Sequence, residues 1–365
     1  MVVSELESKI NELLETSDYQ RIFELLDSNM DTLSKSNELS YFFCMCEVNR
    51  EAFRNTGEMG IVTGKKTVRE VSDAFLNLKR EVQRIAYCDE HDALGIPAAL
   101  RSTGAKASEL LWTINVSTPE PERVLNKLYG NPSDDSNESP RYVQKHSYKD
   151  IAVDFIICSN NSNELEEAIF YISRLDVPDG VKLDVISVQE ACSLCAGYNE
   201  GMSASSAKYK VYMHQDVRII DRDFVSRLID LFADNENVGM IGMVGTDSFP
   251  ADGTMWNVPR YGSVLETHVN ETVLLRNYPD ESDINAVLCD GLLLATQYDL
   301  PWREDLFDGW DFYDASQCME FIRNGYRVLI PYQEKTWCVH DCGFLSMHDY
   351  EKYRQVFLSE YSSIL

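Results

Sequence analysis

Lys208-Tyr209-Lys210-Val211-Tyr212-Met213-His214-Gln215-Asp216-Val217 runs from a lysine-flanked turn through an apolar core to a polar end. Val211, Tyr212 and Met213 read as a buried strand, with His214, Gln215 and Asp216 at its carboxyl end. Val217-Arg218-Ile219-Ile220 follows, and then Asp221 and Asp223 at the start of a helix. In open α/β sheets ligands bind in the crevice outside the carboxyl ends of strands. A carboxylate in that place can hold a hard divalent cation, and the cation can hold a diphosphate. A strand ending in a solvated polar turn would read the same from this stretch alone.

The flanking chain alternates strands and helices, which implies a mostly parallel sheet. Ala152–Cys158 is an apolar strand ending in Ser159-Asn160-Asn161-Ser162, ahead of a helix over 164–174. Those amides and hydroxyls suit a base or ribose, and equally a capped turn. Lys182–Val188 is a second strand with Gln189 and Glu190 at its end, followed by a helix over 195–207 that carries Asn199. Beyond the opening stretch, Phe224–Phe232 is an amphipathic helix. Val238–Gly245 reads as one glycine-rich strand whose glycines do not match a nucleotide turn. Residues 246–285, with Trp256 and Tyr261, read as a flap or insert. A strand over 286–296 is interrupted by Asp290-Gly291. Phe307–Asp314 precedes a helix over 315–324 ended by Gly325. Tyr326–Ile330 and the segment 336–340 follow, and a helix is expected over 347–364.

The first third is helical. Residues 3–30 suggest two short helices with Ser4 as N-cap, and 38–53 a third. Val68, Val71, Phe75, Leu78, Val82 and Ile85 step by three and four along a helix over 67–87. That seam fits packing within the domain or a homodimer contact. Further helices are expected at 98–114 and 119–129. Gly130–Pro140 has linker composition and no apolar residue. The expected organisation is a helical domain over 1–130, a linker over 131–150, an α/β domain over 151–345, and a C-terminal helix over 346–365.

A chain of 365 residues, 44% hydrophobic, is long enough for two or three cored domains. The formal net charge of −27 argues against a nucleic-acid partner but leaves room for a small anion held by a metal. No apolar run reaches the length of a membrane span, and Met1-Val2-Val3-Ser4-Glu5 lacks the features of a signal peptide, so a cytoplasmic location is expected. The ten cysteines sit mostly in apolar runs, as reduced thiols do. Cys192 and Cys195, with Cys338, His340 and Cys342, have spacings that a zinc site would also use.

Ile156–Asn161, Tyr198-Asn199-Glu200-Gly201, Tyr212–Val217, Asp290–Thr296, Phe312-Tyr313-Asp314, Gly325–Val328 and Val339-His340 occur in that order over roughly half the chain. Together they resemble a family 2-type glycosyltransferase of GT-A fold, in the branch whose strand ends in His-Gln-Asp-Val. The fold this implies is α/β, a Rossmann-like mixed and mostly parallel sheet flanked by helices, behind an all-α N-terminal domain. The resemblance implies Asp216 and His340 as ligands of Mn²⁺ or Mg²⁺, and Asp314 as catalytic base, with Asp311 or Asp290 next in line. It implies a nucleotide-sugar donor, UDP-linked, near Ser159, Asn160, Asn161, Gln189, Asn199, Gln215 and Asp216. The acceptor, whether glycan, lipid-linked or protein, would lie near Asp290, Trp310, Asp311 and Tyr313. Trp256, Trp310, Phe312 and Tyr313 suit either walls for a sugar or ordinary core. Three departures stand out: His214 replaces the first Asp of the family's DxD motif, Tyr313 replaces the Glu before the base, and Ser316 replaces a frequent Asp. They motivate the alternative of a GT-A domain that binds without turnover. A nucleotidyltransferase is a third reading, disfavoured because no glycine-rich phosphate loop lies near Asn160.

Overall fold

The computed structural model describes residues 1–88, 107–129, 141–269, 271–343 and 349–364. They divide between two units. One comprises Met1–Glu138 with Glu266–Val273 and Cys342–Leu345, the other Ser139–Leu265, Leu274–Asp341 and Ser346–Leu365. The expected linker at 130–140 and the first part of the expected helix at 98–114 lie outside the described residues.

The first unit is helical: α1 Val3–Glu15, α2 Tyr19–Asp27, α3 Met30–Leu33, α4 Asn37–Thr56, α5 Val68–Tyr87, α6 Ala107–Ser117 and α7 Pro121–Tyr129. Ser4 does not cap α1. Leu6 N donates to Val2 O at 3.0 Å, so the ladder has already begun before Ser4. A capping box opens α5: Glu70 N donates to Thr67 Oγ1 and Thr67 N to Glu70 Oε2, each at 3.1 Å. The seam Val68, Val71, Phe75, Leu78, Val82 and Ile85 is at most 5% exposed and packs into this unit's own core. It therefore offers no face to a second copy.

The second unit begins with a pinned segment rather than a free linker. Asp230, fully buried, accepts from Tyr142 Oη, Lys145 N, His146 N and Tyr148 Oη, which ties residues 141–148 down. The elements that follow are β1 Ile151–Ser159, α8 Ser162–Ile172, β2 Val181–Gln189, α9 Leu194–Ala204, β3 Tyr209–His214, β4 Val217–Ile219, α10 Phe224–Asp234, β5 Val238–Gly242, β6 Val244–Thr246, β7 Tyr261–Thr267, β8 Thr272–Asn277, β9 Ile284–Ala286, β10 Leu288–Cys289, β11 Leu293–Thr296, α11 Tyr313–Arg323, β12 Arg327–Ile330, β13 Cys338–His340 and α12 Tyr350–Tyr361. A seven-stranded mixed sheet has the order β2-β1-β3-β11-β5-β12-β9. β1 is parallel to β2 and β3, β5 to β12, while β11 runs antiparallel between β3 and β5. The central strands β5 and β11 are continuous buried apolar runs, as strands covered on both faces are, whereas the edge strand β2 alternates.

A second sheet has the order β10-β6-β7-β13-β4, with β8 against β7. It accounts for two departures from the sequence reading. Val238–Gly245 is not one strand; the chain breaks at Met243 and passes from the first sheet to the second. Gly245 permits this, since a Cβ there would sit 2.1 Å from Leu288 O of the adjoining strand. Residues 246–285, expected as a flap, contain the β7–β8 hairpin, where Thr267 Oγ1 and Thr272 Oγ1 meet at 3.1 Å. The C-terminal helix α12 belongs to the core around α11. Phe357 packs against Phe312 with centroids 5.3 Å apart, and Tyr361 Oη donates to Glu320 Oε1 at 2.8 Å. No described helix is long and apolar enough to cross a membrane.

Candidate active site

Strand direction assembles the site. β3 ends at His214, beside Cys158 of parallel β1. β11 is antiparallel to β3, so its first residue, Leu293, faces Met213, and His214 N donates to Leu292 O at 3.0 Å. A parallel β11 would have sent Asp290-Gly291 to the opposite edge of the sheet. β13 runs antiparallel to β4 and sets His340 opposite Val217, where Asp341 N donates to Asp216 O at 2.8 Å.

His214, Asp216 and His340 thus converge, with one donor atom of each within 4.8 Å of the others. His214 Nδ1 lies 3.4 Å from His340 Nε2 and 3.9 Å from Asp216 Oδ1, and His340 Nε2 lies 3.6 Å from Asp216 Oδ1. Asp216 Oδ1 is buried and has no hydrogen-bond partner among the described residues, an arrangement a cation would complete. Two imidazoles and a carboxylate form a mixed nitrogen and oxygen donor set, which divalent transition-metal cations accept more readily than Mg²⁺ or Ca²⁺ do. Burial pushes the Asp216 carboxyl up, but the charges of His340, His214 and Arg218 more than reverse this and hold it well below the usual carboxylate range. Burial also lowers the His214 imidazole, against the pull of Asp216, which keeps a ring lone pair available. Arg218, fully buried and paired with Glu164, donates from Nη1 to Gln215 O at 2.8 Å and so braces the turn from beneath.

Asp314 lies in the first turn of α11. Gly291 N donates to its Oδ2 at 2.8 Å and Ala315 N to its Oδ1 at 2.7 Å. Burial and then the neighbouring Asp290 push its carboxyl up to about 7, against the pull of those N–H groups. Such a group is poised to take a proton near neutral pH. Phe312, immediately before the helix, holds φ at 63°, a conformation uncommon outside glycine and concentrated at functional sites. Asp290 Oδ1 accepts from Leu292 N at 3.1 Å. Burial, then Asp349, raises Asp311.

The remaining residues expected at the site divide by what their side chains already do. Gln215 Oε1 accepts from Ser159 Oγ, Asn160 N and Asn161 N at 2.9, 3.1 and 3.0 Å, and Gln215 Nε2 donates to Asn160 Oδ1 at 2.7 Å. Gln215 therefore shapes the 159–161 loop. Asn161 caps α8, accepting from Asn163 N at 3.0 Å. Gln189, exposed, stands opposite Ser159 at the rim. Asn199 is not free to bind a ligand as expected: its amide donates to Trp302 O at 3.0 Å and accepts from Trp302 N at 2.8 Å. Of the four aromatics, Phe312 and Tyr313 are core, at 7% and 3% exposure, whereas Trp256 and Trp310 are 48% and 53% exposed. Tyr313 Oη makes a hydrogen bond with His214 Nε2. The zinc spacing is not realised. Cys192 is exposed, Cys195 is buried, Cys338 is buried within β13, and Cys342 faces His268 Nδ1 at 3.4 Å. His214 was the member of the cluster that the sequence did not assign; its position two residues before Asp216, on the same strand end, was the available signal.

Residues 154–361 match a glycosyltransferase-like family. The chain belongs to this family. The family 2-type GT-A resemblance in its sequence agrees with that membership. Among solved structures, this glycosyltransferase is similar to the mannosyltransferase PcManGT from Pyrobaculum calidifontis in complex with GDP-Man and Mn²⁺ (15% identity, 61% of this chain and 66% of that one, TM-score 0.38). It is also similar to GalNAc-T7 with UDP, GalNAc and Mn²⁺ (7%, 58% and 56%, 0.40) and to S. aureus TarS in complex with UDP (11%, 57% and 65%, 0.38). The chain spans less than two thirds of each of these proteins. No curated protein matches the sequence.

Proposed function

We propose that this glycosyltransferase moves a sugar, with inversion, from a nucleotide-sugar donor to an acceptor hydroxyl, with UDP as the carrier to test first. The observation that supports it most is the convergence of His214, Asp216 and His340, with the raised carboxyl of Asp314 one residue after the Tyr313 that hydrogen-bonds His214. His214, Asp216 and His340 would hold Mn²⁺ or Mg²⁺; such a cation supplies Lewis-acid neutralisation of a departing diphosphate. Asp314 takes the proton of the attacking hydroxyl on the carboxylate lone pairs that Gly291 N and Ala315 N leave free. The loop 159–161, held by Gln215, orients the nucleoside. Trp310 and Trp256, both half exposed, offer ring faces to a sugar. The convergence of donors also favours this reading over a domain that binds without turnover.

The test is calorimetry and thermal shift with UDP, with and without Mn²⁺. UDP should raise the melting temperature, and more so with Mn²⁺, because a ligand that binds only the native state stabilises it. Absence of UDP binding under every metal condition removes the uridine donor from the proposal.

A further inference from the structure

A histidine can offer a metal only one ring nitrogen at a time, and the other must then carry the proton. In His214 the nitrogen facing His340 Nε2, at 3.4 Å, and Asp216 Oδ1, at 3.9 Å, is Nδ1. Nε2 points the other way, to Tyr313 Oη. A hydroxyl both donates and accepts, so Tyr313 can receive a proton-bearing Nε2. The tyrosine has no freedom to leave. It is 3% exposed, its ring lies 5.9 Å from Tyr198 and 6.2 Å from Trp302, and its hydroxyl occupies the space where a Cβ on Gly291 would stand, 1.9 Å away. Glycine at 291 thus leaves room for the hydroxyl that His214 meets.

We infer that Tyr313 is a positioning residue that holds His214 as an Nδ1 metal ligand by accepting the Nε2 proton. The two departures from the DxD and Glu-Asp patterns are then one arrangement, a histidine ligand and the tyrosine that fixes its tautomer. This rests on the metal reading above and goes beyond it. Partners that orient ligating histidines typically contribute about 10–100-fold in metal affinity.

Two measurements test it, neither through turnover. Mn²⁺ affinity is measured by calorimetry on wild type and Tyr313→Phe, which keeps the ring. The variant should bind about 10–100-fold more weakly with an unchanged circular-dichroism spectrum. Equal affinity overturns the inference and leaves the metal reading standing, whereas a wild type that binds neither Mn²⁺ nor Zn²⁺ overturns both. The second measurement needs no variant protein except for assignment: ¹⁵N-histidine NMR of the Zn²⁺-loaded wild type, a six-histidine chain, with His214→Gln to identify the signal. Nε2 should carry the proton and Nδ1 the metal-shifted resonance. A metal-shifted Nε2, or a His214 whose signals do not respond to metal, overturns the inference.

Discussion

Asp216, in the turn after β3, and Asp314, in the first turn of α11, are both carboxylates, and their surroundings drive them in opposite directions. Asp216 faces His340, His214 and Arg218 and is held far below its usual range despite burial. Asp314 faces Asp290, has only backbone N–H groups to stabilise its charge, and is pushed up to about 7. Two groups of identical chemistry are thereby separated into a permanent anion, fit to hold a cation, and a group that can take up a proton near neutral pH. The contrast teaches that role here is set by which charges the fold brings close, since both residues are only partly buried.

The largest effect should come from Asp314→Asn. Removing the proton acceptor should lower kcat by about 10²–10⁴-fold while calorimetric affinity for metal and UDP stays within twofold or so of wild type. The wild type supplies a matching signature. The base must be ionised, so with its carboxyl at about 7 the rate should rise about tenfold per pH unit up to that point and then level off. A variant with wild-type turnover on a working acceptor would move the base to Asp311 or Asp290. Asp216→Asn should give the complementary pattern: Mn²⁺ affinity weaker by about 100-fold, in line with the upper range for perturbed metal sites, and donor KM raised along with the fall in kcat. If that variant bound Mn²⁺ as tightly as wild type, the division of roles between the two carboxylates would collapse. The smallest effect is expected from Gln215→Ala, which frees the 159–161 loop without touching a charge. Losing those hydrogen bonds should weaken UDP about tenfold, the equivalent of about 1.4 kcal/mol. Mn²⁺ affinity measured without nucleotide should stay unchanged; if it falls in step, Gln215 serves the cation rather than the loop.

Much of this site could be read in the chain because its signals are local. β1 and β3 are apolar runs, broken once each by Asp154 and Lys210, that stop at polar residues, and α5 repeats its seam under a capping box. The rest depends on partners in space. Met243 is where the chain changes sheets, yet it sits in an apolar glycine-rich run with no change of period to mark it. Tyr313, an aromatic beside an acid, reads as a sugar platform until its 3% exposure shows it to be core. Asn199 reads as a ligand group until both ends of its amide are found on Trp302, across 103 residues of sequence. His214 and His340, 126 residues apart, meet only because β13 pairs with β4.

The seating of α12 sets an order of assembly. Phe312 leans on Tyr350, with centroids 4.8 Å apart, and on Phe357, while Tyr361 reaches Glu320 on α11. A ribosome delivers residues 214, 216, 314 and 340 before any of these supports exists. A nascent chain stopped short of residue 350 would hold every proposed ligand and the proposed base, with α11 still lacking one wall of its core. The core around α11 is therefore completed only by the helix made after it.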